Sequence, residues 1–467
     1  MEEQKKNQTQ QSRSTEGLGT EPVGRLLMRL ATPAIVAQVI NLLYNMVDRI
    51  YIGHIEGVGQ LALTGVGVCM PLIMIISAFA SLAGMGSAPR ASIFLGKGEK
   101  DKAELTLGNS VTLLFLMSVI LTVLFVLFAD QLLMVFGASE NTIAYASSYM
   151  RIYSLGTWFV QFTLGLNVFI TAQGFARTSM MTVLIGALCN IVLDPVFIFA
   201  FHMGVAGAAL ATILSQGISM VWILRFLTGP KSVLRIKKKN LRMSKEIILP
   251  AIALGLSPFI MQSTESLISV CFNSSLLKYG GDVAVAAMTI CSSIMSFCLM
   301  PLQGLTQGSQ PIISYNYGAG DLGRVRQAFR ILLISCITYS MALWALVMLM
   351  PQIFIHMFNS DPELIAFGAP ALRVYMAMSG IFGIQIACQQ TFIALGNAKN
   401  SLFLALLRKV ILLIPLIYIM PLFISDKTTA VFMAEPVADT LAVTTTAIMF
   451  GRYFKKMMSG VKKQRGN

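Results

Sequence analysis

The stretch GALCNIVLDPVFIFAF, residues 186–201, sets an amide and a carboxylate four residues apart inside a run otherwise fit for lipid. An ionised Asp near the centre of a membrane helix costs about 2.5–3.5 kcal/mol on insertion scales. Either the stretch does not span a membrane, or Asp194 has a partner and a task. Composition decides the first question. A mean hydropathy of +0.72, with 55% hydrophobic and 12% charged residues in 467, is far from the soluble norm of about a quarter charged. The chain reads as a polytopic membrane protein.

Apolar runs of spanning length recur along nearly the whole sequence. They fall at 31–53, 61–87, 105–128, 145–172, 175–201, 204–227, 247–275, 283–313, 328–350, 366–394, 399–423 and 429–451. The expected fold class is therefore all-α, with twelve transmembrane helices. Residues 1–25 read as a disordered arm, 26–228 as a first six-span lobe and 229–246 as a basic linker. A second lobe follows at 247–453, then a basic tail at 454–467. The polar start lacks the apolar core of a signal peptide.

The formal charge of +14 would suit nucleic acid, but its placement argues for topology. Basic residues crowd the arm (Lys5, Lys6, Arg13, Arg25, Arg29), the loop with Arg90, Lys97, Lys100 and Lys102, the linker GPKSVLRIKKKNLRMSKE and the tail. All lie on one side if the helices alternate. The opposite loops hold His54, Glu56, Asp130, Glu140, Asp361 and Glu363, with Lys278 and Lys427 as the basic exceptions. The positive-inside rule then puts both termini in the cytoplasm of a cell (inner) membrane protein. No nucleic-acid partner is expected, only loose contact with anionic lipid. The seven Cys sit mostly within spans without ligand spacing, and read as packing residues.

GSAPRASIFLGKGE at Gly86 returns as GSQPIISYNYGAGD at Gly308, 222 residues later. The same offset pairs Arg151 with Arg373, Tyr153 with Tyr375, Gly174 with Gly396, Ala176 with Ala398 and Ser179 with Ser401. The chain is thus a tandem duplication. With six spans per half, the halves are related by a pseudo-two-fold along the membrane normal, an arrangement of secondary transporters. The G-x-G-x-x-G of Gly318–Gly323 lies in a loop between spans and lacks the βαβ setting of a nucleotide site. No Walker A sequence appears, which argues against the chain powering itself with ATP but does not exclude a separate ATPase subunit; none is expected.

Asn190 and Asp194 share one helix face. Pro195 should kink the helix and free the carbonyl of Ile191. Thr212 lies on the next span, and Asp48 on the first, with Tyr44 and Asn41 on successive turns below it. Counted at about 1.5 Å per residue, Asp48, Asp194 and Thr212 fall in one outer slab of the membrane. Such a group could coordinate Na⁺ or share a proton. The plainer alternatives are a pair of Asp48 with Arg49, a structural hydrogen bond for Asp194, and a packing role for Thr212. In the second half, Gln262, Glu265, Ser269 and Asn273 recur at helical spacing after a kink expected at Pro258. Glu265 is read as attracting a cationic substrate, with Asn41, Tyr44, Gln262 and Ser269 as further substrate-binding residues, or else as one member of an interhelical pair. Asp194 and Asn190 map to Leu416 and Leu412, so the ion-type cluster is not repeated in place.

V-D-R-I-Y-I-G-H (47–54), the paired G-S-x-P…G-x-G loops, N-I-V-L-D-P-V-F-I-F and G-A-A-L-A-T (207–212) together resemble the multidrug and toxic compound extrusion (MATE) transporters. The resemblance implies two six-helix lobes and efflux of amphipathic, mainly cationic small molecules in exchange for H⁺ or Na⁺, by a monomer without a cofactor. Carried over residue by residue, Asp48, Asn190, Asp194 and Thr212 match the family's first-lobe cation and proton site. Glu265 matches an acidic position used by part of the family. The tenth-span acid of some members is replaced here by Gln385, Gln389 and Gln390. The alternatives are a lipid-linked precursor flippase of the wider superfamily, or a membrane-embedded enzyme. The scattered His54, His202 and His356 and the lack of any H-E-x-x-H speak against an enzyme.

Overall fold

Backbone N–H and C=O groups in hydrocarbon must satisfy one another, and this chain does so with helices alone. The computed structural model describes residues 17–358 and 361–464, and no strand occurs among them. The first lobe comprises α1 (Val23–Gly53), α2 (Gly59–Gly96), α3 (Lys100–Val135), α4 (Ile143–Leu155), α5 (Thr157–Ala172), α6 (Ala176–Pro195) and α7 (Gly204–Thr228). The second comprises α8 (Lys245–Gly318), α9 (Leu322–Leu349), the short α10 (Pro351–His356), α11 (Pro362–Tyr375), α12 (Phe382–Ala394), α13 (Ala398–Leu406), α14 (Ile414–Phe423) and α15 (Lys427–Gln464). A π-helical turn, Val196–Ala200, extends α6, and a second, Leu407–Leu413, joins α13 to α14.

Eight helices among the described residues are long and apolar enough to cross a membrane by themselves, counting each α–π run as one. The other crossings follow from local breaks. Helices α4 and α5 form one span bent by 59° at Gly156. The 74-residue α8 is two spans, because Gly281 takes φ 67°, ψ −162°, a conformation open only to glycine, and turns the chain back. Adding α11–α12 and α15 gives the twelve helices. The first arm of α8 keeps helical dihedrals through Pro258, so the break lies at Gly281 and not at the expected kink. Helix α6 also stays helical through Pro195, which leads into the π turn in place of a free break. Such π turns widen a helix by one residue and gather at functional sites.

Residues 17–25 depart from the disordered arm expected there. Leu18 is fully buried, and Asn316 and Arg324 of the second lobe donate to its carbonyl at 2.8 and 3.1 Å. The remainder of that arm, residues 1–16, lies outside the described residues. The basic tail continues α15 as helix to Gln464. The linker is held against the first lobe: Gln173 Oε1 accepts from Ser232 Oγ and the amides of Val233 and Leu234, and Asn109 Oδ1 accepts from Ser244 N at 2.6 Å. The Lys237–Glu104 ion pair adds a further tie.

Repeat symmetry is visible in the packing. Ser92 donates to Ala172 O at 2.9 Å, and Ser314, 222 residues on, donates to Ala394 O at 2.7 Å. The lobes meet around the same axis. A Cβ on Gly96 would lie 1.9 Å from Tyr315 O, and one on Gly318 would lie 2.0 Å from Ile93 O. Both pairs are repeat equivalents, so the contact is self-complementary, as at a two-fold interface. Beside it Gly255 approaches Leu82 O and Gly86 approaches Ala251 O, so that backbone seals against backbone. Nearer mid-membrane, Ser81 donates to Gln262 Oε1 at 3.0 Å and Phe79 meets Phe259 edge-on. Among the described residues, no hydrogen bond or ring contact joins the lobes beyond Met74 and Ser266, on the side away from the basic loops. The molecule is closed at its basic face.

Candidate functional site

Helices α1, α4, α6 and α7 place their polar residues at one depth in the half of the first lobe away from the basic face. Asn190 Nδ2 donates to Asp194 Oδ1 at 3.1 Å, one helical turn on, and to Thr212 Oγ1 of α7 at 3.5 Å. Asp194 is fully buried and Asp48 nearly so. Their carboxyl groups meet within hydrogen-bonding reach. Tyr44, one turn below Asp48, faces both acids. Asn45 Nδ2 donates to the backbone carbonyl of Asn41 at 2.6 Å, and among the described residues no hydrogen bond ties Asn41 to the two acids.

Two residues were missed in the sequence. Tyr149 of α4 lies against Thr212 and beside Asp48. Tyr153, stacked on it with ring centroids 6.0 Å apart, faces Tyr44. The depth count that matched Asp48 with Asp194 would also have found this pair, since both tyrosines lie within about eight residues of the outer end of their span. Aromatic rings in apolar spans read first as packing, and they were passed over for that reason.

Asp48 Oδ1, Asp194 Oδ2 and Asn190 Oδ1 are buried without a donor among the described residues. No ion pair links Asp48 to its neighbour Arg49 among them. Two carboxylates in contact cannot both stay ionised and unpartnered in low dielectric. The arrangement therefore calls for one positive charge. A proton shared between the acids would supply it, and so would a hard cation held by carboxylate, amide and hydroxyl oxygens. The four residues Asp48, Asn190, Asp194 and Thr212 have the donor chemistry for Na⁺.

The second lobe is charged in a way the sequence reading overlooked. Glu265, expected as an acid awaiting a cationic substrate, is paired with Lys409 Nζ at 2.6 Å, although half of its side chain remains exposed. Behind it Arg408 donates from Nε to Asp439 Oδ1 at 2.7 Å and from Nη2 to Glu435 Oε1 at 2.9 Å. The Arg408 guanidinium also lies 4.3 Å from the Phe382 ring centroid. Four charges inside spans eleven and twelve, matched in sign, were the available signal. Gln262 is taken up at the lobe seam and Ser269 is exposed one turn beyond Glu265. In the tenth span Gln385 and Gln389 form an amide chain that reaches Ser257 of α8.

Comparison with known proteins gives a consistent result. The MatE family profile matches residues 33–196 and 258–419, one block in each lobe. The multidrug export protein MepA of Staphylococcus haemolyticus (strain JCSC1435) is 23% identical over 420 residues, covering 90% of this chain and 92% of that protein. A crystal structure of MATE in the bent conformation superposes with a TM-score of 0.89 at 22% identity, over 96% of this chain and 99% of the other. A solved chain called protein A is 34% identical, with a TM-score of 0.87 over 94% of this chain and 98% of its own.

Proposed function

Because the chain belongs to the MatE family of membrane transporters, we propose that it is a secondary active multidrug exporter that exchanges amphipathic, mainly cationic compounds for H⁺ or Na⁺. The observation that carries the reading is the Asp48–Asp194 contact, with three buried oxygens lacking a donor. One proton or Na⁺ entering from the face away from the basic loops offsets one of the two carboxylate charges. With their mutual repulsion gone, α1 shifts against α6 and weakens the grip on cargo in the cleft. After release the lobes rock, the glycine seam parts, and the ion leaves at the basic face, which the positive-inside rule makes cytoplasmic. One chain contains both lobes, so a monomer suffices. A flippase for phosphate-linked lipids fits less well, since Arg408 and Lys409 are already bound by carboxylates.

The test is efflux of a cationic dye from proteoliposomes under an imposed pH gradient or an imposed sodium gradient, wild type beside Asp194→Asn. Efflux driven by one gradient and lost in the variant is the expected result. Undiminished gradient-driven efflux in the variant would refute the site.

A further inference from the structure

The charged cluster of the second lobe stands on the repeat equivalents of the helices that build the first-lobe pocket. Glu265 is on the seventh span, the counterpart of the first. Arg408 and Lys409 are on the eleventh, the counterpart of the fifth, and Glu435 and Asp439 are on the twelfth, the counterpart of the sixth. At the 222-residue offset these positions correspond to Leu43, Gly186, Ala187, Ile213 and Gly217. Each lies closer to the basic face than the matching member of the first pocket, by up to about two helical turns. The wall is conserved between the copies: Tyr153 faces the first pocket, and its repeat equivalent Tyr375 lies against Glu435, Glu265 and Asp439. In both lobes two polar residues four apart on one helix are tied together, Asn190 by donating directly to Asp194, and Glu435 and Asp439 by accepting from the same Arg408.

Charge counting shows what this second cluster can do. Arg408, Lys409, Glu435 and Asp439 are buried, and Glu265 alone opens outward. Lys409 balances Glu265, whereas Glu435 and Asp439 share the single cation Arg408. Three carboxyl groups therefore meet two fixed positive charges. Besides these, Tyr375 of α11 faces the group, with Cys291 of α8 beside that tyrosine, and neither carries a positive charge. A buried net charge in hydrocarbon is costly enough to draw in a compensating one.

We propose that the Glu435–Asp439 pair holds one exchangeable proton, and that a cationic substrate docking on the exposed side of Glu265 expels it. The exchange balances: the protonated cluster is neutral with two cations and two carboxylates, and the loaded cluster is neutral with three of each. This makes the second lobe a cargo-for-proton site, separate from the first-lobe pocket. It rests on the reading of the protein as an exporter of cations, and not on the role given to Asp48 and Asp194.

The experiment is proton release into weakly buffered detergent solution when purified protein binds tetraphenylphosphonium, followed with a pH dye. Asp48→Asn/Asp194→Asn protein should still release about one proton per bound probe, and its affinity should rise about tenfold per pH unit across the titration. Adding Glu435→Gln should abolish the release. In the wild-type background Glu435→Gln should lower release by about one proton. Infrared difference spectra of the Asp48→Asn/Asp194→Asn protein should show loss of a protonated-carboxyl band on probe binding, a readout that needs no change in the second lobe. Probe binding without proton release or band loss in that protein overturns the proposal, as does unchanged release after Glu435→Gln. Equal release from wild type and Asp48→Asn/Asp194→Asn protein would instead remove proton exchange from the first-lobe pocket and leave this one standing.

Discussion

Single residues carry charge, and charge in hydrocarbon must be answered. Asp194 was legible as a candidate because its apolar surroundings made it costly, and Asn190 because it lies one turn away. Thr212→Ala removes the hydroxyl that accepts from Asn190 and lies against Tyr149. Losing a buried hydrogen bond of about 1 kcal/mol should slow gradient-driven dye efflux by roughly fivefold without abolishing it; efflux at the wild-type rate would remove Thr212 from the site. Arg408→Ala has a different expected outcome, because it strands two buried carboxylates. Breaking such a pair costs about 3–5 kcal/mol. The purified variant should show a markedly lower melting temperature than Lys278→Ala, an exposed control, and an unchanged melting curve would contradict the buried geometry.

Elements are set by backbone chemistry as much as by hydropathy. Sequence gave α8 as two spans with a loop of seven residues between them, whereas the chain turns at Gly281 alone. Gly281→Ala would force a side chain into a conformation costing about 1–3 kcal/mol, read as a lower melting temperature with the spans still inserted. Prolines proved poorer guides than glycines here. Both Pro195 and Pro258 remain inside helical backbone, because neighbouring helices and π hydrogen bonding absorb the missing donor. Close approach of helices makes a further prediction. Gly96→Leu places a side chain where the Tyr315 carbonyl lies, so the lobes should part at the basic face. A Ser81→Cys reporter should then react faster with an impermeant maleimide added from that side, and an unchanged rate would show that the seam does not seal the cleft.

At the scale of the whole molecule, transport by rocking requires the seam to open in every cycle. Lys97 and Ala319 are exposed repeat equivalents beside the axis, and a Cβ on Gly96 would lie 2.9 Å from Ala319 N. Lys97→Cys/Ala319→Cys protein, bridged by a short bis-methanethiosulfonate through two mixed disulfides with sulfinate leaving, should lose efflux and regain it on reduction. Transport that persists while bridged would refute rocking. The duplication, the spans and the buried acids of the first lobe could be read from the sequence, because hydropathy period, repeat offset and the cost of an ionised group in lipid are local properties of the chain. Partnership could not. Whether Glu265 stands free or faces Lys409, whether Tyr149 and Tyr153 pack or wall a pocket, and which glycines close the basic face all depend on helices brought together from distant parts of the chain. Those pairings were decided by tertiary structure, since a salt bridge or a hydrogen bond is fixed by distance and orientation in space, and spacing along a chain constrains these only within a single helix.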